Sequence, residues 1–204
     1  MKLYYLPGAC SLAPHIALNW LGRPFETHRL TREELKGPEY LAVNPMGAVP
    51  TITEGDWTLT QNIAILEYIA EQDPTLNLLG QNTPRARAEV RRWLGFINSD
   101  LHKIFPMVFR PQRFVQDDAA QQALSTNALS MLADLFATAD RALEPGPFLT
   151  GDRKTVADAY LYVVTRWAHA KNVDVAGLKN LERFFKKMDQ DPGVQAALKE
   201  EGLN

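Results

Sequence analysis

Along the first 70 residues the apolar positions change period several times. The run "KLYYL" (2–6) is apolar and aromatic, as suits a buried strand. From Ser11 to Trp20, Leu12, His15, Ile16 and Asn19 fall on one side at helical spacing, and Gly22 offers a C-terminal stop. "PFETHRL" (24–30) alternates like a strand, and "AVPTITEGDWTLT" (48–60) reads as a hairpin turning at Glu54-Gly55-Asp56. Asn62, Ile65, Leu66 and Ile69 then recur at i, i+3, i+4 and i+7, the stripe of an amphipathic helix. The predicted order is β-α-β, a loop, then β-β-α.

The stretch "EQDPTLNLLGQNTP" (71–84), with two prolines and a glycine, reads as a linker. Beyond it strand signals stop. "PRARAEVRRWLGFINSDLHKIF" and "QDDAAQQALSTNALSMLADLFATADRAL" are long helical patterns, and "TVADAYLYVVTRWAHA" opens with Thr155 and Asp158 spaced as in a capping box. Two further helical patterns begin near Leu178 and Val194, and no internal repeat is evident. The reading is α+β: a small α/β domain over residues 1–78, a linker at 79–84, and an all-helical domain over 85–204.

Composition narrows the function. At 204 residues, 46% hydrophobic and 23% charged, the chain is ordinary globular material, long enough to bury a core. A net charge of −2, with no basic stripe, gives no reason to expect nucleic acid or an anionic membrane as partner. The longest apolar runs, about five residues, fall far short of the roughly 20 a membrane helix needs. Only Leu3 to Leu6 precede "PGAC", too short for the apolar region of a secretion signal, so the expected location is the cytoplasm. The one cysteine excludes an internal disulfide and a C-x-x-C redox pair.

That cysteine, Cys10, sits where the first strand gives way to the first helix. A helix start presents free N–H groups and the positive end of the dipole to a sulfur nearby. An ordinary thiol is about 3% ionised at pH 7, and making it mostly thiolate takes about 2.7 kcal/mol. A helix terminus supplies about 0.3–1 kcal/mol, up to about 2 when partly buried, so a hydroxyl such as Ser11 or Tyr5, or a cation, would have to add the rest. The alternatives are a small buried apolar residue, or a turn that binds another molecule's thiol and carboxylates.

Four stretches point to a family. "MKLYYLPGACSLAPHIAL", "YLAVNPMGAVPTI", "LTQNIAILEYIA" and "TVADAYLYVVTRWA" occur in the order found in cytosolic glutathione S-transferases, and the chain most resembles the bacterial beta class from Met1 to the "EEGLN" end. The resemblance implies a thioredoxin-like domain with a mixed four-stranded sheet, an all-helical second domain and a homodimer. Glutathione would be the co-substrate, with no metal, and the protein would be a detoxification enzyme whose other substrates are hydrophobic electrophiles. It implies Cys10, Ser11 and His102 as the catalytic group. Glutathione would lie against Cys10, Lys36, Val49, Pro50, Gln61, Asn62, Ser99 and His102, with Val49-Pro50 cis and Val49 pairing as an added strand does. Tyr5, Phe105, Phe109 and Trp167 would wall the electrophile pocket. Asn62 reads as a helix N-cap. Gln61 departs from the usual Glu; an amide in place of a carboxylate costs around 1 kcal/mol toward a ligand ammonium. Ser99 and His102 are expected to share a helix face. His15 reads as structural, and Arg85, Arg87, Arg91 and Arg92 as a solvated or dimer-facing stripe. Glutaredoxin-like exchange through a Cys10 mixed disulfide, a glutathione-dependent isomerase or dehalogenase, and a non-catalytic scaffold are the other readings the same residues allow.

Overall fold

A computed structural model describes residues 1–203; Asn204, the last residue of the "EEGLN" end, lies outside the described residues. Strand β1 (Lys2–Tyr5) alternates as a pleat demands, with Leu3 and Tyr5 buried and Lys2 and Tyr4 half-buried on the other face. Helix α1 (Leu12–Leu21) follows and stops at Gly22, whose φ of 69° lets its N–H close on Leu18 O. Strand β2 (Glu26–Arg29) runs parallel to β1 as an exposed edge. Strands β3 (Thr51–Glu54) and β4 (Trp57–Thr60) form the hairpin, and β3 pairs antiparallel with β1. The sheet order is β2-β1-β3-β4.

Two details differ from the sequence reading in this half. Glu54 pairs with Trp57, so the turn is the two residues Gly55 and Asp56, with Gly55 at φ 55°. The expected loop between β2 and β3 contains a short helix, α2 (Pro38–Val43). Helix α3 (Asn62–Glu71) buries Ile65, Leu66 and Ile69 as the spacing predicts.

The second half is helical: α4 (Pro84–Phe96), α5 (Lys103–Phe109), α6 (Asp118–Ala142), α7 (Val156–Ala170), α8 (Lys179–Asp189) and α9 (Pro192–Glu201). The single helix expected over residues 84–105 is instead α4, a π-helical turn at Ile97–His102, and α5 with Pro106 inside it. Helix α7 is buried on nearly every side, consistent with its apolar sequence. Its start is tied down by Asp158, which accepts from the N–H and hydroxyl of Thr155 (2.7 and 2.8 Å) and from the Leu149 N–H (2.9 Å). Helix α9 returns to pack on α1. There buried His15 meets Glu201 Oε1 through Nδ1 (2.9 Å) and Glu200 Oε2 through Nε2 (2.5 Å), a structural role as expected. Among the described residues no helix is long and apolar enough to cross a membrane.

Candidate active site

The Cys10 turn is built by local bonds and clamped by distant ones. Ala9 N–H closes on Leu6 O, and Leu12 N–H on Ala9 O, each at 3.0 Å. Ser11 is fully buried: its hydroxyl donates to Leu6 O (3.3 Å) and accepts from Leu6 N–H (3.2 Å). Both bonding directions are spent on the turn, so Ser11 is not presented to the cleft as expected of a catalytic hydroxyl. Tyr5 fails for a related reason. The β1 pleat puts it on the core face, where it is buried against the His15 ring and donates to Glu200 O (3.4 Å). It is not a pocket wall.

From the far end of the chain, Glu201 Oε2 accepts from Gly8 N–H (2.8 Å), while Gly8 O accepts from Trp167 Nε1 (2.8 Å). Helices α9 and α7 therefore hold the same turn by its two backbone groups.

Cys10 is half-buried, and its thiol donates to Val49 O at 3.3 Å. Burial pushes the thiol up to about 12, although the Cys10 and Ser11 N–H groups pull it the other way. Desolvation outweighs the helix start here, so in the free protein Cys10 is a neutral hydrogen-bond donor. The thiolate expectation for residue 10 does not hold without a ligand.

Val49-Pro50 is cis. Beyond it, Thr51 pairs with Thr60, which sets Gln61 beside Pro50 at the sheet's end. Gln61, not Asn62, occupies the cap position of α3, with φ 74° and ψ 119°. A non-glycine residue in that region costs roughly 1–3 kcal/mol, strain of the kind functional sites retain. Asn62 is buried, caps nothing, and both its amide atoms lack a partner. The correction follows from helix register: one residue later than expected, its side chain turns inward. The first-turn N–H groups of α3 stay free for an acceptor. Lys36 stands on the neighbouring loop, its Nζ donating to Met46 O and Gly47 O at 3.4 Å each.

Across the cleft, His102 ends the π turn. The Tyr160 hydroxyl meets His102 Nδ1 at 2.5 Å and Asn98 Oδ1 at 3.1 Å, which fixes the ring's orientation. That contact leaves Nε2 as the ring nitrogen available to a ligand. Burial lowers the His102 pKa to about 4, and keeps the ring neutral near pH 7. Ser99 is exposed, and among the described residues its side chain has no hydrogen-bond partner. Asn98, four residues back, instead shares the Tyr160 hydroxyl with His102. Asn98 and Tyr160 were missed because they meet His102 through a contact between two helices distant in sequence.

Cys10 and His102 line one cleft of about 480 Å³ with Pro106, Phe109 and Trp167. Phe105 is fully buried behind it, against Phe109 (centroids 5.4 Å) and Trp167 (5.2 Å), and backs the wall without facing the space. The cleft also takes in Arg32, Arg110, Arg113 and Lys171, which the sequence reading did not single out. Gln61, Asn62, Val49, Lys36 and Ser99 are not among its lining residues; the first four belong to the adjoining sheet end and loop.

The chain is similar to known proteins in sequence and fold. Residues 8–72 match the model of the glutathione S-transferase N-terminal domain, and residues 96–192 that of the C-terminal domain. Glutathione S-transferase GST-4.5 of Xanthomonas campestris is 48% identical over the full length of both chains. A solved glutathione S-transferase from Xylella fastidiosa superposes at a TM-score of 0.96, with 46% identity over 100% of this chain and 99% of that one. A sphingomonad glutathione S-transferase complexed with glutathione superposes at 0.88, with 38% identity over the whole of both chains. A bacterial beta class enzyme from Sphingomonas chungbukensis does so at 0.88, with 36% identity over the whole of both chains. The chain belongs to the glutathione S-transferase family.

Proposed function

We propose that this glutathione transferase holds glutathione between the Val49–Pro50 edge and the start of α3, and turns its thiolate on an apolar electrophile seated against Phe109 and Trp167. The observation that carries the reading is the contact between Cys10 Sγ and Val49 O, with His102 on the same cleft. It puts a neutral donor, a backbone edge able to pair with a peptide, and a free imidazole nitrogen around one point. The cysteinyl part of glutathione pairs with Val49 as an added strand, and its γ-glutamyl carboxylate meets the free N–H groups of α3. Gln61 lies near the glutamyl ammonium, and Lys36 serves the glycyl carboxylate.

In this reading the N–H groups of Cys10 and Ser11 and the Cys10 S–H stabilise the ligand's sulfur anion. His102 accepts a hydrogen bond through Nε2 and carries no charge of its own. A thiol held near 12 is a poor nucleophile at neutral pH, so conjugation is favoured over exchange through a Cys10 mixed disulfide. The protein works as a cytoplasmic homodimer, with α4 contributing Arg85, Arg87, Arg91 and Arg92 to the shared face. Its domains divide at residues 1–78 and 85–204. The reading is supported by the named relatives and by the separate characters of the two halves.

Conjugation of 1-chloro-2,4-dinitrobenzene, together with retention on immobilised glutathione, tests it. Cys10→Ser should keep conjugation in part and stay on the column. Complete loss of conjugation, with reduction of glutathione mixed disulfides as the wild-type activity, would replace this mechanism with exchange.

A further inference from the structure

Given the transferase reading above, we infer that the electrophile this protein takes is an apolar molecule bearing a carboxylate. The cleft beside Cys10 is bounded by four cations, Arg32, Arg110, Arg113 and Lys171, and no carboxylate lines it. The whole chain carries 24 acidic and 22 basic residues, so a cavity with four of one sign and none of the other is not the average surface. Where cations do pair, the partner is an adjacent carboxylate, as in Arg91 with Glu67 and Lys154 with Asp191; what sets the cleft apart is four cations converging on one space without a carboxylate. Among the described residues none of the four around the cleft makes an ion pair.

Two of them end helices, Arg110 at α5 and Lys171 at α7, where a cation offsets the negative dipole end. Each helix end is worth roughly half a negative charge, so about one charge is offset and about three remain. Lys171 Nζ lies 5.6 Å from the centroid of the Phe109 ring, which places a positive charge directly beside the aromatic wall. Arg110 is half-buried, and the remaining three are exposed around the opening. A ring resting on Phe109 and Trp167 with an anionic substituent toward Lys171, Arg110 and Arg113 satisfies both kinds of wall. The competing source of a carboxylate is the glycyl end of glutathione.

The test uses 4-chloro-3-nitrobenzoate and its methyl ester. In each the glutathione sulfur forms a C–S bond at the ring carbon, chloride leaves with the C–Cl electron pair, and the thiol proton passes to buffer. Each kcat/KM is divided by the uncatalysed rate with glutathione, which removes the ester's greater intrinsic reactivity. The wild-type protein should favour the acid by about tenfold or more, and that preference should shrink toward one in R113Q/K171Q and in about 0.5 M NaCl. A wild-type ratio near one overturns the inference. So does a rise in the KM for glutathione in R113Q/K171Q with the acid preference intact, which assigns these cations to glutathione. Turnover of neither compound, with no retention on immobilised glutathione, overturns the transferase reading beneath it.

Discussion

The two walls of the cleft are made of different chemistry. On the sheet side, the groups the proposal assigns to glutathione are mostly main chain: the Val49 edge, the N–H groups of Cys10 and Ser11, and the start of α3. On the helical side it is a matter of side chains: a neutral His102 fixed by Tyr160, two aromatic rings, and cations from separate segments. Main-chain groups suit a constant ligand, because they cannot be exchanged by mutation. Side chains suit a variable one. On the proposed reading the contrast is that of a co-substrate site beside a specificity site, and each wall can be attacked separately.

The heaviest blow to the sheet wall comes from outside it. Glu201 is buried, and it serves both Gly8 N–H and His15 Nδ1. Glu201→Ala leaves a buried partner, His15, and a half-buried one, Gly8 N–H, without their acceptor, which costs about 3–5 kcal/mol by analogy with broken buried pairs. For a chain of this size, thermal unfolding should fall by about 6–20 °C. The KM for glutathione should rise, because the Cys10 turn loses a clamp. Unchanged melting would mean that α9 does not hold the turn.

On the helical wall, the sign of a pH effect separates His102 from an ordinary surface histidine. Its folded pKa is lowered to about 4 by burial, against about 6.5 unfolded. The unfolded chain therefore binds the proton more readily. The stability contributed by neutral His102 is complete above about pH 6.5 and is lost as pH falls through about 4, a change on the order of 3 kcal/mol. Denaturant midpoints of His102→Asn across this range should show a flatter acid limb than the wild type, and conjugation at pH 7 should drop about tenfold or more for want of Nε2.

The strands and the longer helices were legible because burial on one face imposes a period, and Cys10, His102, Phe109 and Trp167 did reach one cleft. Helix α2 was not legible: six residues with only Tyr40 buried leave no stripe to find. The π turn left no mark either, since inserting a wider turn changes hydrogen bonding and not composition. Tyr5 could have been placed correctly by carrying the β1 alternation through from Leu3. The cations could not, because Arg32, Arg110, Arg113 and Lys171 meet only after three segments distant in sequence have packed.

Returning to the sheet wall, Cys10 should be slow toward iodoacetamide. A pKa of about 12 in place of about 8.5 leaves some three thousandfold less thiolate, while the stronger nucleophilicity of a high-pKa thiolate recovers part of it. The net expectation is alkylation at pH 7.5 about a hundredfold slower than for a free cysteine, rising with pH up to about 11. Rapid labelling with a plateau near pH 7 would show an activated thiol, and would move Cys10 from donor to nucleophile.

The smallest change tests whether the sheet wall really works by main chain. Gln61 holds its left-handed backbone at the cap of α3 beside Pro50, and its side chain is exposed. If free N–H groups of α3 do most of the work on the glutamyl end, the side chain is a secondary contact. Gln61→Glu would then convert a neutral hydrogen bond with the ligand ammonium into a charge-assisted one, worth around 1 kcal/mol, or about fivefold tighter glutathione binding. The added negative charge also sits at the positive end of α3, which favours it by a few tenths of a kcal/mol. It stands near the ligand carboxylate as well, which opposes that gain. Calorimetric titration with glutathione should therefore show an improvement of no more than about fivefold, screened by salt because the position is exposed. A gain of a hundredfold would mean that the side chain, and not the helix start, dominates this end of the site, and the contrast between the two walls would no longer stand.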